Sequence, residues 1–297
     1  MTVLDRVIAG ALPYVPKQVV RKVASRYIAG ETLDEALQVA ENLNQRGMMA
    51  TLDILGEHVH TLDQARRAVL EYLQLLEQLH VRKLNANVSV KLTQLGLKMD
   101  TRACLDLTSR LVRRAKELNN FVRLDMEDSS CTADTLRIYR ALRKDHSNVG
   151  VVIQAYLRRT AADVEAMKDL RPNYRLCKGV YVEPPEIAFP DMRDVNRNYL
   201  SILETLLREG SYVGIATHHD LIVREAFRLI KELGLPATAY EFQMLLGVNE
   251  QLRDMIVAAG HRLRVYIPFG RDWYAYSVRR LRENPRLAGY VLKAMFR

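Results

Sequence analysis

At 297 residues the chain is long enough for two average domains or for one large α/β barrel, and an apolar fraction of 48% can fill a sizeable core. Three cysteines, Cys104, Cys131 and Cys177, form no CxxC pair and belong to no His/Cys cluster at zinc spacing, which argues against a disulfide framework and a structural zinc site and points to a reducing compartment. A formal charge of +9 and a pI near 9.5 favour anionic partners, but the basic residues are spread along amphipathic patterns such as Ala65–Arg82 and Thr108–Lys116 without interleaved aromatics, so nucleic acid is the weaker reading.

No apolar run reaches bilayer-spanning length, and Pro13 and Pro16 interrupt the stretch where a signal peptide would stay apolar; a cytoplasmic location is expected. The first forty-five residues read as helices, with the 3.6-residue period clearest from Asp34. They are expected to pack, as a segment 1–45, outside a main domain at 46–297. From Gly47 onward, short apolar-alternating runs alternate with longer helical patterns. The runs are Ala50–Glu57, Ala86–Leu92, Phe121–Glu127, Gly150–Tyr156, Tyr174–Tyr181, Tyr212–His218, Ala239–Leu245 and Arg262–Phe269. The helical patterns lie near Leu62–His80, Arg102–Leu118, Ala133–Lys144, Ala161–Leu170, Val195–Arg208, Ile222–Leu233 and Glu250–Ala259. Eight strand-helix units with short joints predict a (β/α)8 barrel of the TIM type. A doubly wound dinucleotide-binding sheet would carry a Gly-x-Gly turn, and the chain has none.

Alternate strand residues face the barrel interior and the helix layer. In Phe121–Glu127 the apolar Val122, Leu124 and Met126 share one face, leaving Arg123, Asp125 and Glu127 on the other. The same sorting sends inward Asp53 and Glu57, Lys91, Gln154, Glu241 and Gln243, and Arg264 and Tyr266, and it groups Arg175, Cys177, Gly179 and Tyr181. These are expected towards the C-terminal strand ends, where barrel enzymes place their chemistry. One such charge is commonly a paired core ion; charges on so many strands point to a site. After the last strand, Asp272 can cap a helix that Pro285 stops, with Tyr276, Arg279, Arg280 and Glu283 on one face. Two adjacent guanidinium forks suit a small carboxylate, and a solvated basic face is the other reading.

Val-Ser-Val-Lys91-Leu, Leu-Asp125-Met-Glu, Gln154-Ala-Tyr, Arg175-Leu-Cys-Lys178-Gly-Val-Tyr181, Ala-Thr217-His218, Tyr-Glu241-Phe-Gln243-Met-Leu245, Arg264-Val-Tyr266 and Tyr276-x-x-Arg279-Arg280-x-x-Glu283 resemble, in order and spacing, the proline dehydrogenases. The resemblance runs from about Gly47 to Pro285 and looks like the short monofunctional bacterial form. It implies FAD-dependent oxidation of L-proline to 1-pyrroline-5-carboxylate on a distorted barrel, with hydride transfer to flavin N5 and electrons passed to a membrane quinone. It further implies that Arg279 and Arg280 clamp the substrate carboxylate, that Tyr266 and Tyr276 wall the pocket, and that Lys91 and Leu245 line it. Glu57 would pair with Arg279 and gate entry. Arg175 would stabilise charge near flavin N5, and Asp125 would orient the Lys91 and arginine charges. Met126, Gln154, Lys178, Gly179, Val180, Tyr181, Thr217, His218, Gln243 and Glu283 would hold the FAD. The chain departs from the family's usual pattern at Val180, where Ala is common, at Cys177, where an aliphatic residue is common, and at His219, where Asn or Asp is commoner.

Rival readings remain. Lys91 or Lys178 could form an imine in a Schiff-base lyase or aldolase. A basic peripheral membrane or RNA-binding protein would leave the inward carboxylates unexplained. His218-His219-Asp220 hints at a metal, but adjacent histidines at a strand end point apart, and no metal is expected. Methionines and aromatics in the helical patterns, Met99, Tyr139, Met167, Tyr199 and Phe227, read as core. Lys17, Arg21, Lys22 and Arg26 could give weak membrane contact, or their helices could cover an apolar patch on the barrel.

The clamp has a direct test. Arg280→Lys keeps the charge but loses the two-pronged fork, and the Michaelis constant for proline is expected to rise by an amount worth about 2 kcal/mol in steady-state kinetics.

Overall fold

The computed structural model describes residues 20–21, 24–56, 59–274 and 276–277. Each of the eight expected runs overlaps a strand: β1 (Met49–Ile54), β2 (Ala86–Val90), β3 (Val122–Leu124), β4 (Val149–Gln154), β5 (Asn173–Cys177), β6 (Tyr212–Ala216), β7 (Tyr240–Leu245) and β8 (Leu263–Phe269). All neighbouring strands pair in parallel, and β8 pairs back onto β1 with Met49 opposite Arg264 and Ile54 opposite Phe269, closing the barrel. The helices are α1 (Leu33–Gln45), α2 (Leu62–Val81), α3 (Thr101–Glu117), α4 (Ser129–Arg143), α5 (Thr160–Ala166), α6 (Met192–Arg208), α7 (Asp220–Glu232) and α8 (Glu250–Ala258), with a 3-10 turn at Lys168–Leu170.

Local chemistry sets several of these boundaries. Thr32 with Glu35 and Thr61 with Gln64 form capping boxes at α1 and α2, while Asp100, Asp128 and Asp191 accept backbone N–H groups at the starts of α3, α4 and α6. Strands β3, β5 and β6 end well before the corresponding sequence runs do, because the residues beyond Leu124, Cys177 and Ala216 leave the sheet to build loops. α1 lies outside the barrel against β1 and β8. Among the expected core residues, Tyr139, Met167 and Tyr199 are buried, but Met99 is 43% exposed: it lies in the turn between β2 and α3, where no helical face carries it inward.

The alternation predicted for the strands is realised. Leu52, Val88, Val90, Val122, Leu124, Val151, Ile153, Leu176, Val213, Ile215, Phe242, Val265 and Ile267 are all buried against the helix layer. The opposite faces fill the barrel with polar groups, in two layers rather than one. Arg123, Glu241 and Arg264 are second residues of β3, β7 and β8, so they lie at the N-terminal ends of their strands and not at the C-terminal ends where they were expected. Arg264 Nε donates to Glu241 Oε1 at 2.7 Å, and Tyr212 Oη donates to Glu241 Oε2 at 2.7 Å. Arg123 donates to the carbonyl and side-chain oxygens of Asn173, both at 2.5 Å. Gly150 is required here because a Cβ would collide with the Arg123 guanidinium and the Asn173 carbonyl.

Glu241 is almost wholly buried, which by itself would raise its pKa; the Arg264 guanidinium and three hydrogen-bond donors overcome this and hold it at about 2. A carboxyl held below its ordinary value stabilises the fold at neutral pH, and that contribution is lost as pH falls from about 4.5 towards about 2. Glu241→Gln is expected to flatten this part of the pH–stability curve. Arg264→Leu, which strands the carboxylate, should lower stability at pH 7 by about 3–5 kcal/mol in urea unfolding.

Candidate active site

A cavity of about 500 Å³ opens at the C-terminal ends of the strands. Its floor is a set of buried charges carried by different strands. Arg175, the middle residue of β5, donates through Nη1 to Asp125 Oδ1 at 2.6 Å and to Ser89 Oγ at 3.1 Å, and through Nε to Gln243 Oε1 at 2.5 Å. Tyr266 Oη donates to Asp125 Oδ2 at 3.0 Å, and the Tyr266 ring centroid lies 5.2 Å from the Arg175 guanidinium carbon. Burial, and then the Asp125 charge, push the Tyr266 phenol well above its ordinary range, so it remains a donor. Gln243 Nε2 donates to Glu241 Oε1 at 2.6 Å and thereby ties this layer to the one below. Gly214 on β6 gives Gln243 its room, since a Cβ there would overlap the amide.

Lys91, immediately after β2, donates to Asp53 Oδ2 at 2.7 Å, and Asp53 is completely buried. Burial raises the Asp53 carboxyl and opposes the Lys91 ammonium, but the charges of Asp53 and then Asp125 outweigh that opposition and lift Lys91 above its ordinary value. Lys91 is therefore a cation with a carboxylate against it, and its direct partner is Asp53. Asp125, expected to orient both Lys91 and an arginine, bonds directly to Arg175 and acts on Lys91 only through space. The signal for Asp53 was its inward parity on β1; nothing local singled it out as the partner. Tyr72, from α2 outside the barrel, donates to Ser89 O at 2.9 Å and lies 3.3 Å from Asp53 Oδ1, a contact that strand parity cannot reveal.

The walls come from the loops. Parity places Met126 and Lys178 on the apolar face, but β3 and β5 end at Leu124 and Cys177, and both residues line the cavity. Glu127, expected inward, instead accepts from Thr93 N at 3.0 Å and Thr93 Oγ1 at 2.5 Å and does not line it. After Cys177 the chain turns through Lys178, Gly179, Val180 and Tyr181, all lining the cavity. Gly179 has φ +101° and rests on Tyr156, whose ring would meet any added Cβ, so both sterics and backbone conformation demand glycine. Burial lowers the Lys178 ammonium from its ordinary value.

On the far wall, Thr217, His218 and His219 follow β6 and line the cavity, the strand having ended at Ala216. His218 Nε2 accepts from Leu245 N at 2.8 Å, which fixes the position of Leu245 on the rim. Gln154 donates to Glu127 O at 3.3 Å, while its Oε1 is buried without a partner beside the cavity, as is His219 Nδ1. Among the described residues no group of three or more His, Cys, Asp or Glu side chains is placed to hold a metal ion.

Tyr276 closes the rim from the turn that Asp272 begins; its N–H donates to Asp272 O at 3.2 Å. It packs with Leu55, and with Val20, Ala24, Tyr27 and Ile28 of the N-terminal segment. Glu57, Arg279, Arg280 and Glu283 lie outside the described residues.

The family model described as proline dehydrogenase matches residues 36–291. Proline dehydrogenase 1 of Bacillus subtilis is 37% identical over 274 residues, covering 92% of this chain and 91% of that one. The proline dehydrogenase of Deinococcus radiodurans is 37% identical over 286 residues, covering 95% and 92%. Among solved structures, proline utilization A from Bdellovibrio bacteriovorus, inactivated by N-propargylglycine, matches with a TM-score of 0.81 at 28% identity over 88% of this chain, which spans 32% of that one.

Asp53→Asn leaves the Lys91 ammonium buried without its carboxylate and is expected to cost about 3–5 kcal/mol in denaturant unfolding, whereas Asp53→Asn combined with Lys91→Met should recover much of that loss because no lone charge remains.

Proposed function

This chain belongs to the proline dehydrogenase family, and on that premise we propose that it oxidises L-proline to 1-pyrroline-5-carboxylate, the first step of proline catabolism to glutamate, with FAD as cofactor and a membrane quinone as the final electron acceptor. The observation that carries this reading is the preorganised floor of the cavity, where Arg175, Asp125, Tyr266 and Lys91 stand in fixed mutual geometry at 2.6–3.0 Å from their partners.

The cavity residues fit the cofactor. Gln154 Oε1 is a buried acceptor without a partner, suited to an N–H on a heterocyclic ring edge. The backbone at Gly179 admits close approach, and Lys178 beside it suits a phosphate charge. Met126, Val180, Tyr181, Thr217, His218 and Gln243 complete the FAD contacts, with Glu283 as a further one from beyond the described residues. When bound, FAD supplies the two-electron acceptor for the hydride that leaves the proline ring carbon next to nitrogen.

The protein's own part is binding, orientation and charge. Arg279 and Arg280 would hold the substrate carboxylate and Glu57 would pair with Arg279, roles that the family resemblance implies for these residues outside the described part. Tyr276, Tyr266 and Leu245 shape the space around the proline ring and exclude water. Lys91 stays cationic and adds attraction for the carboxylate. Arg175, held by Asp125 and Gln243, presents a fixed positive charge to the reacting region. Because its partners are in place beforehand, this charge needs no reorganisation during the reaction. No helix among the described residues is long and apolar enough to cross a membrane. Delivery of electrons to a quinone then requires peripheral contact, which we place on the inner face of the cell membrane.

An imine-forming lysine is the rival chemistry. Lys91 suits it poorly, being paired and held above its ordinary pKa. Lys178, lowered by burial, is the better candidate for that rival. The anaerobic visible spectrum of the purified protein separates the two. A flavin spectrum that bleaches with L-proline and not with D-proline is expected, with no borohydride-trapped adduct on either lysine. A protein that stays colourless after incubation with FAD overturns the dehydrogenase reading.

A further inference from the structure

We propose that Glu183 is a positioning residue for the cavity loop after β5, and through it for the phosphate-bearing part of the cofactor; this rests on the FAD reading above. Between Cys177 and Met192 the chain runs without a helix or strand of its own. Both ends of this stretch are held by backbone bonds. Tyr156 N donates to Lys178 O at 2.8 Å at the near end. At the far end Phe189 N donates to Tyr156 O at 2.8 Å, and Arg158 donates to Ile187 O at 3.0 Å through its N–H and to Pro185 O at 2.7 Å through Nε. Between these anchors lie Gly179, Val180, Tyr181 and Val182, the first three lining the cavity. Val180 is 41% exposed and Val182 fully so, and little packing holds the outer side of the turn.

Glu183 supplies a further anchor, from the side of α4. Its Oε1 accepts from Ser129 N at 2.7 Å and its Oε2 from Ser129 Oγ at 2.7 Å, so both oxygens are engaged by the first residue of α4. That N–H is one of the donors a helix start leaves without an intrahelical partner, and the positive end of the helix favours a carboxylate there. The helix does not depend on Glu183 for its cap, because Asp128 already accepts from Ser130 N at 2.9 Å. The carboxylate therefore acts mainly on the loop. Tyr156 sets the depth of the turn from beneath Gly179, and Glu183 sets its lateral position from α4. Cations held on a loop bind an anion well only when the loop is already in place, since ordering it on binding subtracts from affinity.

The test uses full-length protein stripped of flavin and titrated with FAD, followed by quenching of flavin fluorescence. Glu183→Ala removes two charge-assisted hydrogen bonds and is expected to weaken FAD binding roughly ten- to hundredfold. Glu183→Gln, which keeps one acceptor and loses the charge, should fall between. Thr32→Ala, a lost cap on α1, which packs on β1 and β8 across the closed barrel from β5, serves as control: it should lower the melting temperature and leave FAD affinity unchanged. In Glu183→Ala without flavin, limited proteolysis should cut between residues 178 and 185 faster than in the parent protein. Parent protein that binds no FAD overturns the cofactor reading itself. Parent protein that binds FAD alongside a Glu183→Ala variant of equal affinity overturns the role of Glu183. A control variant that loses as much FAD affinity as Glu183→Ala for the same fall in melting temperature also overturns it.

Discussion

Charge buried inside a barrel must find a partner there, because an isolated ion in a low-dielectric interior is too costly to keep. That requirement shapes this molecule from the centre outward. Arg123, Lys91, Arg175 and Arg264 enter the barrel from four strands or their ends, and Asp53, Asp125 and Glu241 from three. Each carboxylate is in an ion pair, and Gln243 bridges the lower and upper pairs with one amide. Gly150 and Gly214 belong to the same solution, since the large polar groups fit only where a neighbouring strand gives up its side chain.

The two layers divide the work. The lower layer, at the N-terminal strand ends, is closed off by its own bonds and reads as stability. The upper layer faces the cavity. Arg175 is held by Asp125, Ser89 and Gln243, and Asp125 by Arg175 and Tyr266, so the position of one group follows from several strands at once. Such a site can be rigid although its walls are loops, because the loops begin within a residue or two of the pairs. Val20, Ala24, Tyr27 and Ile28 pack with Leu55 and Tyr276. Of the two readings of the basic N-terminal residues, cover for an apolar patch is the one that this packing favours over the described part of the segment.

Much of the architecture was legible in the residues alone. Eight alternating runs separated by helical patterns give the barrel, because period and length are local properties and a closed parallel sheet is the ordinary way to bury eight such strands. Inward parity also identified Asp53, Lys91, Asp125, Arg175, Gln243 and Tyr266 as interior. Parity failed where strands stopped. Met126 and Lys178 line the cavity although parity puts them on the apolar face, and Glu127 leaves it, because once sheet pairing ends the two-residue period no longer decides where a side chain points. Strand length was the weak point, since the apolar runs continued into residues that the structure uses as loops.

The sequence by itself determined the fold class and the inventory of charged groups that the barrel would have to accommodate, because these follow from periodicity and composition along the chain, and its strand-end motifs carried the resemblance to a family. Only the tertiary structure decided who pairs with whom and at which level. Lys91 with Asp53 and Arg175 with Asp125 join residues 38 and 50 positions apart, and Glu183 meets Ser129 across 54. Glu241 and Arg264 sit below the chemistry rather than in it. Such choices depend on the stagger of neighbouring strands and on where each strand ends, quantities set by packing around the whole barrel and carried by no single stretch of residues.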